Sequence, residues 1–143
     1  MNGEVVVDAS VAVKWLVREV YSDQAEILTR AWVRQGTRII APYLMPVEVS
    51  NALLRKARER RITVESAAAL VETLVNRDIT MWEPPDLHSR ALQLAEILDQ
   101  SAVYDSHYLA LAEIMDCDLW TADERFHRAA SPRFPRVRWI GEG

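Results

Sequence analysis

The sequence has a single cysteine, Cys117, and only three histidines, His88, His107 and His127, widely spaced along the chain. A lone cysteine excludes an internal disulfide and any cysteine-rich zinc site, and histidines this scattered argue against a histidine-based metal cage. No apolar run approaches the roughly 18–20 residues that a membrane span needs, so no membrane association is expected. The opening MNGEVVVDAS has no basic region and too short an apolar stretch for a signal peptide, which makes the expected location cytoplasmic. An excess of positive charge is also missing, since the 143 residues carry a formal net charge of −4. This argues against a protein that coats nucleic acid non-specifically, because such binding rests on many Lys and Arg contacts to phosphate. It leaves room for an enzyme whose metal-binding carboxylates tilt the count toward acid. Repeats, low-complexity segments and linkers are absent, and the length suits one core, so a single domain over residues 1–143 is expected.

What the chain does contain is an alternation of short β-branched or aromatic runs with longer amphipathic ones. Strands are expected at 4–8, 38–41, 79–82, 119–121 and 137–140. Helices are expected over Ser22–Gln35 with Gly36 as stop, over 43–60 with Pro46 in the first turn, over 63–76 with Thr63 as N-cap, and over 87–99 and 103–116. Thr121-Ala-Asp-Glu124 has the form of a capping box and predicts a short helix after it. Residues after Asp8 read as a loop. The alternation implies an α/β fold with a central parallel sheet of about five short strands and helices on both faces. In such sheets ligands bind beyond the carboxyl ends of the strands, at the topological switch point.

Four acidic residues stand where that edge should be. Asp8 ends the first strand, Glu48 lies in the first turns of the helix after the second, Asp105 opens a helix, and Asp123 follows the fourth strand by two residues. Singly, Asp8, Asp105 and Asp123 are also what helix caps and dipole partners look like, worth about 1 kcal/mol or less each. Glu48 is less ordinary, flanked by Val47 and Val49 in an apolar stretch. Together the four pose an electrostatic problem: two carboxylates about 4 Å apart repel by roughly 4 kcal/mol at an effective dielectric of 20. A cation relieves this, and an all-oxygen site suits Mg²⁺ or Mn²⁺ better than zinc or copper.

The segments VVVDASVAVKW, PYLMPVEVSNAL, YDSHYLALAE and LWTADERF resemble, in order, the four signature blocks of PIN-domain proteins, in particular the VapC-type toxins of toxin–antitoxin pairs. The resemblance spans essentially the whole chain. It implies a PIN-like α/β/α sandwich and an endoribonuclease that hydrolyses RNA phosphodiester bonds through Mg²⁺- or Mn²⁺-activated water, with Asp8, Glu48, Asp105 and Asp123 as the metal-holding and catalytic set. Ser10 and Thr121 match the family's small hydroxyl residues and would orient a carboxylate or water. Asn51, one helical turn after Glu48, is expected to face the same site. His107 stands where similar sequences commonly have a small residue, and is assigned to packing. The resemblance also implies a homodimer and a small VapB-like antitoxin, with the apolar face of the helices at 43–76 as its docking groove and an Arg or Lys of that partner reaching into the acidic cleft.

Basic residues gather at Arg55, Lys56, Arg58, Arg60 and Arg61, and again at Arg128, Arg133, Arg136 and Arg138. The first group exceeds what favouring a helix C-terminus requires, and makes Arg55, Lys56 and Arg58 candidates for RNA phosphate contact. Lys14 is a further candidate, and an exposed Trp15 could stack on a base. The other four tryptophans read as core. Two other functions fit the same residues: a housekeeping PIN nuclease acting in RNA maturation or on DNA, and a catalytically silent binding module. An aspartyl-phosphate phosphatase would want a second Asp two residues after Asp8, where Ser10 stands.

Overall fold

Five parallel strands form one sheet in the computed structural model, which describes residues 3–142. They are β1 (Gly3–Val7), β2 (Thr37–Ala41), β3 (Ile79–Met81), β4 (Asp118–Thr121) and β5 (Val137–Trp139), in the spatial order β3-β2-β1-β4-β5. Seven helices flank the sheet: α1 (Ala9–Leu16), α2 (Ser22–Gln35), α3 (Leu44–Arg58), α4 (Val64–Val75), α5 (Leu87–Ile97), α6 (Tyr104–Met115) and α7 (Glu124–Ala130), with a 3₁₀ turn at Ile140–Glu142. The central strands carry unbroken apolar runs because parallel strands are covered on both faces. Val5, Val6 and Val7 of β1, and Ile39, Ile40 and Ala41 of β2, are all buried. The two edge strands are only three residues long, which limits the unpaired backbone they present.

The chain leaves β1 and pairs it on one side with β2 and on the other with β4. The strand order therefore reverses at β1, and the crevice beyond the ends of β1 and β4 is the switch point where side chains from separate connections meet. Asp8 and Asp123 follow these two strands, and the Asp8 N–H donates to the Trp120 carbonyl at 3.2 Å, tying the end of β1 to β4.

Most expected elements are present with ends shifted by a few residues. Gly36 closes α2 with φ 71°, a left-handed conformation that glycine adopts without Cβ strain. Thr63 caps α4 by accepting from the Ser66 N–H. Three readings need correction. The segment after Asp8 is not a loop but helix α1; its β-branched Val11 and Val13 have modest helix propensity, and their complete or near-complete burial overrides it. The N-cap of α7 is Asp123, not Thr121: the Asp123 carboxylate accepts from the Phe126 N–H at 3.1 Å, while Thr121 ends β4. Trp82, expected in a strand and in the core, lies past β3 and is 42% exposed.

Candidate active site

Asp8 is the deepest of the four acids. It is 4% exposed, and the Ser10 hydroxyl donates to its Oδ1 at 2.5 Å. The cap contact that Oδ1 makes with the Val11 N–H is long, at 3.3 Å. Ser10 itself accepts from the Ala122 N–H at 2.8 Å and lies 3.3 Å from the Thr121 hydroxyl, which in turn accepts from the Asp123 N–H at 3.0 Å. Ser10 and Thr121 thus link the loop after β1 to the loop after β4, and the two sequence-predicted hydroxyl residues stand at the acidic edge. Replacing Ser10 with Ala would leave the Ala122 N–H without its partner and Asp8 without its shortest hydrogen bond, a loss of about 1–3 kcal/mol. Urea denaturation of Ser10→Ala beside the parent chain measures this; an unchanged midpoint would mean that the hydroxyl bridges nothing of consequence.

Glu48 reaches the same place from α3. Its Oε1 accepts from the hydroxyl of Tyr108 at 2.6 Å, and Tyr108 is 1% exposed. Burial and the adjacent Glu48 charge push the phenol well above its usual range, so it serves as a fixed donor. Sequence reading assigned Tyr108 to packing; the signal for a second role was its spacing three residues after Asp105, which puts both on one helix face. All four acids, Asp8, Glu48, Asp105 and Asp123, line one cavity of about 220 Å³ together with Ser10, Ala52, Arg55 and Tyr108.

Their electrostatics mark a deficit of positive charge. Burial pushes the Asp8 carboxyl up to about 7, opposed by the Ser10 and Thr121 hydroxyls and reinforced by the charge of Asp105. Burial likewise raises Asp105 to about 6, helped by repulsion from Asp123 and Glu48. None of the four forms an ion pair with Lys or Arg among the described residues. Each of Asp8, Glu48 and Asp123 is held by its own local donor, and no three His, Cys, Asp or Glu side chains among the described residues already surround a common point. The second carboxylate oxygens of Glu48 and Asp123 accept no hydrogen bond among the described residues. The donor set, all hard oxygen and unneutralised, fits a divalent cation of the Mg²⁺ or Mn²⁺ kind.

Several expected contacts fall elsewhere. Asn51 is exposed and lines none of the cavities that hold the acids; Ala52 and Arg55, four and seven residues after Glu48, take the inward positions. Lys14 and Lys56 are not poised for RNA: both pair with Glu19, at 2.9 and 2.7 Å, with side chains 10% and 13% exposed. The ammonium groups hold the Glu19 carboxyl below its usual range against the upward push of its partial burial. Trp15 is partly buried, donates its Nε1–H to Thr29 at 2.8 Å and is covered by the Arg77 guanidinium, so no ring face waits for a base. Arg58 is exposed but lines neither acidic cavity. In the C-terminal group, Arg136 donates to the carbonyls of Ala112 and Cys117, Arg138 covers Trp120, and Arg128 pairs with Glu124, all contacts that hold the fold. His107 packs as expected, its Nδ1–H donating to the Val103 carbonyl and its Nε2 2.9 Å from His88.

Residues 5–132 match the family model described as PIN domain. The chain belongs to the PIN-domain family. Among curated PIN relatives, a VapC ribonuclease of Mycobacterium bovis and ribonuclease VapC9 of Mycobacterium tuberculosis are each 30% identical over 131 residues, covering 92% of this chain and 94% of the relative. The PIN fold is matched by the crystal structure of PAE2754 from Pyrobaculum aerophilum, with TM-score 0.69 and 23% identity over 99% of this chain and 94% of that one. VapC20 of Mycobacterium tuberculosis, titled a Sarcin-Ricin loop cleaving toxin, matches with TM-score 0.65 and 15% identity over 88% of this chain and 95% of that one. The five-stranded parallel sheet with helices around it is the sandwich expected from the sequence.

Proposed function

We propose that this chain is a metal-dependent endoribonuclease and the toxin of a VapBC-type pair, acting as a single PIN domain in the cytoplasm. The observation that carries the reading is the meeting of Asp8, Glu48, Asp105 and Asp123 in one cavity at the switch point of the sheet, with no basic side chain neutralising them. Mg²⁺ is the assigned ion, with Mn²⁺ as substitute. Held by these four carboxylates, it would supply the positive charge needed to activate water and neutralise the leaving oxygen of a phosphodiester. The residues of the chain do the rest. Ser10 fixes the Asp8 carboxylate, Tyr108 fixes Glu48, and Thr121 orients the backbone that carries Asp123. Burial of Asp8 excludes water from the base of the pocket and strengthens its hold on any cation.

The partner readings rest on surfaces away from this pocket. Between α3 and α4 runs an apolar groove of about 410 Å³ lined by Leu53, Leu54, Ala57, Val64, Ala67 and Val71. Val64 is 60% and Leu54 42% exposed. An amphipathic helix of a small antitoxin would bury these residues, and a Lys or Arg following it would neutralise the acids and block metal binding. The homodimer has a candidate face in the exposed Leu92 and Ile97 of α5.

Purified protein incubated with total RNA is expected to produce discrete fragments in Mg²⁺, none in EDTA, and fragments again when Mg²⁺ or Mn²⁺ is restored. Cleavage that is indifferent to EDTA would remove the mechanism.

A further inference from the structure

The acidic pocket does not end at its four carboxylates. A second cavity, of about 530 Å³, shares Glu48, Asp105 and Asp123 with it and continues past Tyr104, Gln100 and Arg125. Arg55 lines the first cavity and Arg125 the second, so a guanidinium lines the space on either side of the shared acids. Both arginines are exposed, and neither has a carboxylate partner among the described residues. This sets them apart from Lys14, Lys56, Arg136 and Arg138, whose charges are spent within the fold.

Tyr104 is the first residue of α6, directly before Asp105, and is 55% exposed. Its ring makes no aromatic contact among the described residues. One exposed aromatic on a surface needs no explanation. An exposed ring at the mouth of an anionic pocket that is flanked by guanidinium groups offers a π-face next to a phosphate path, and nucleobases are the ligands that need both.

We propose that an unpaired RNA segment crosses the acidic pocket from Arg55 to Arg125, with its phosphates on the two guanidinium groups and one base stacked on Tyr104. The inference rests on the nuclease reading and narrows its substrate. A base lying on Tyr104 must have left any helical stack, so the protein cuts loops, bulges or single strands and not the interior of a duplex. Arginine suits the flanking positions because its planar fork meets phosphate oxygens with two parallel hydrogen bonds.

The test reads binding apart from cleavage. Asp8→Asn protein in Mg²⁺ buffer is titrated into a short fluorescein-labelled single-stranded RNA, with fluorescence anisotropy as signal. Adding Tyr104→Ala is expected to weaken binding roughly five- to a hundredfold, and Tyr104→Trp to restore it. Arg55→Gln and Arg125→Gln are each expected to lower the slope of log Kd against log salt by about 0.7. A perfect duplex of the same sequence should bind without dependence on residue 104. Equal binding of the single strand with and without the Tyr104→Ala substitution, or equal dependence of duplex and single strand on Tyr104, overturns the subsite. So does a Tyr104→Ala effect confined to a protein partner. The two readings fail separately. Absent wild-type cleavage with Tyr104-dependent binding intact removes the nuclease, and normal cleavage with Tyr104-independent binding removes the subsite alone.

Discussion

In Asp8→Asn, RNA cleavage is expected to fall roughly 10²–10³-fold, in the range seen when a preorganised charge-stabilising group is removed, while the metal-free protein melts at a higher temperature than the parent at neutral pH. These outcomes have one cause. Asp8 is held in a site where burial alone disfavours its negative charge, and that charge is useful only to a bound cation. Asparagine keeps an oxygen for the Ser10 hydroxyl and for the Val11 N–H, so the bridge between the loops after β1 and β4 survives. What disappears is the buried carboxylate and its repulsion from Asp105. Gel assays with total RNA and a thermal melt in EDTA check the two halves. A variant that cuts like the parent would reject Asp8 as a metal ligand. A variant that cuts poorly because it is unfolded would instead melt lower, and the assignment would have to be tested at Glu48.

The metal-free parent protein is expected to be more stable near pH 5 than near pH 8, and millimolar Mg²⁺ should remove most of the difference. The sign follows from proton counts. In the unfolded chain an aspartate loses its proton near the ordinary value of 3.8, whereas in the folded protein Asp8 keeps it to about 7 and Asp105 to about 6. Across the interval between, the folded state binds more protons than the unfolded one, so stability declines as pH rises. The decline runs from about pH 4 to 7 and then levels off. For Asp8 alone the gap of some three pH units corresponds to about 4 kcal/mol, and Asp105 adds to it without being independent. Below pH 4 the trend reverses, because Glu19, held low by Lys14 and Lys56, is then protonated and that pairing is lost. Binding only to the folded state, Mg²⁺ restores stability at pH 8 by mass action and adds little at pH 5, where protons already occupy the carboxylates. Urea or thermal melts at the two pH values, with EDTA or Mg²⁺, decide the matter. A metal-free protein that is equally stable at both would mean that the carboxylates do not crowd one another as described.

Legibility from sequence differed sharply between residues. The four acids could be picked out because each sits at a punctuation point: the end of β1, the start of α3, the start of α6 and the turn after β4. Ser10 and Thr121 followed from their distances to Asp8 and Asp123 along the chain. Helix α1 was hidden because ASVAVKWL alternates β-branched residues, and only burial against neighbouring elements makes it helical. Asn51 was placed by counting one turn from Glu48, but a helix advances 100° per residue, so the inward row runs through Ala52 and Arg55. The lysines were misread for a different reason. Lys14 and Lys56 are far apart in sequence and look free until the fold brings Glu19 between them.

The order of hydrophobic and polar runs was enough to determine an α/β protein with a parallel sheet, because buried strands and amphipathic helices have different periods, and it placed carboxylates beside the strand ends. Which of the basic and aromatic side chains face that pocket was decided only by tertiary structure. A charge or a ring is available to a ligand only if nothing within the protein already occupies it, and those occupants come from distant parts of the chain: Glu19 for Lys14 and Lys56, Thr29 and Arg77 for Trp15, and none among the described residues for Arg55, Arg125 and Tyr104.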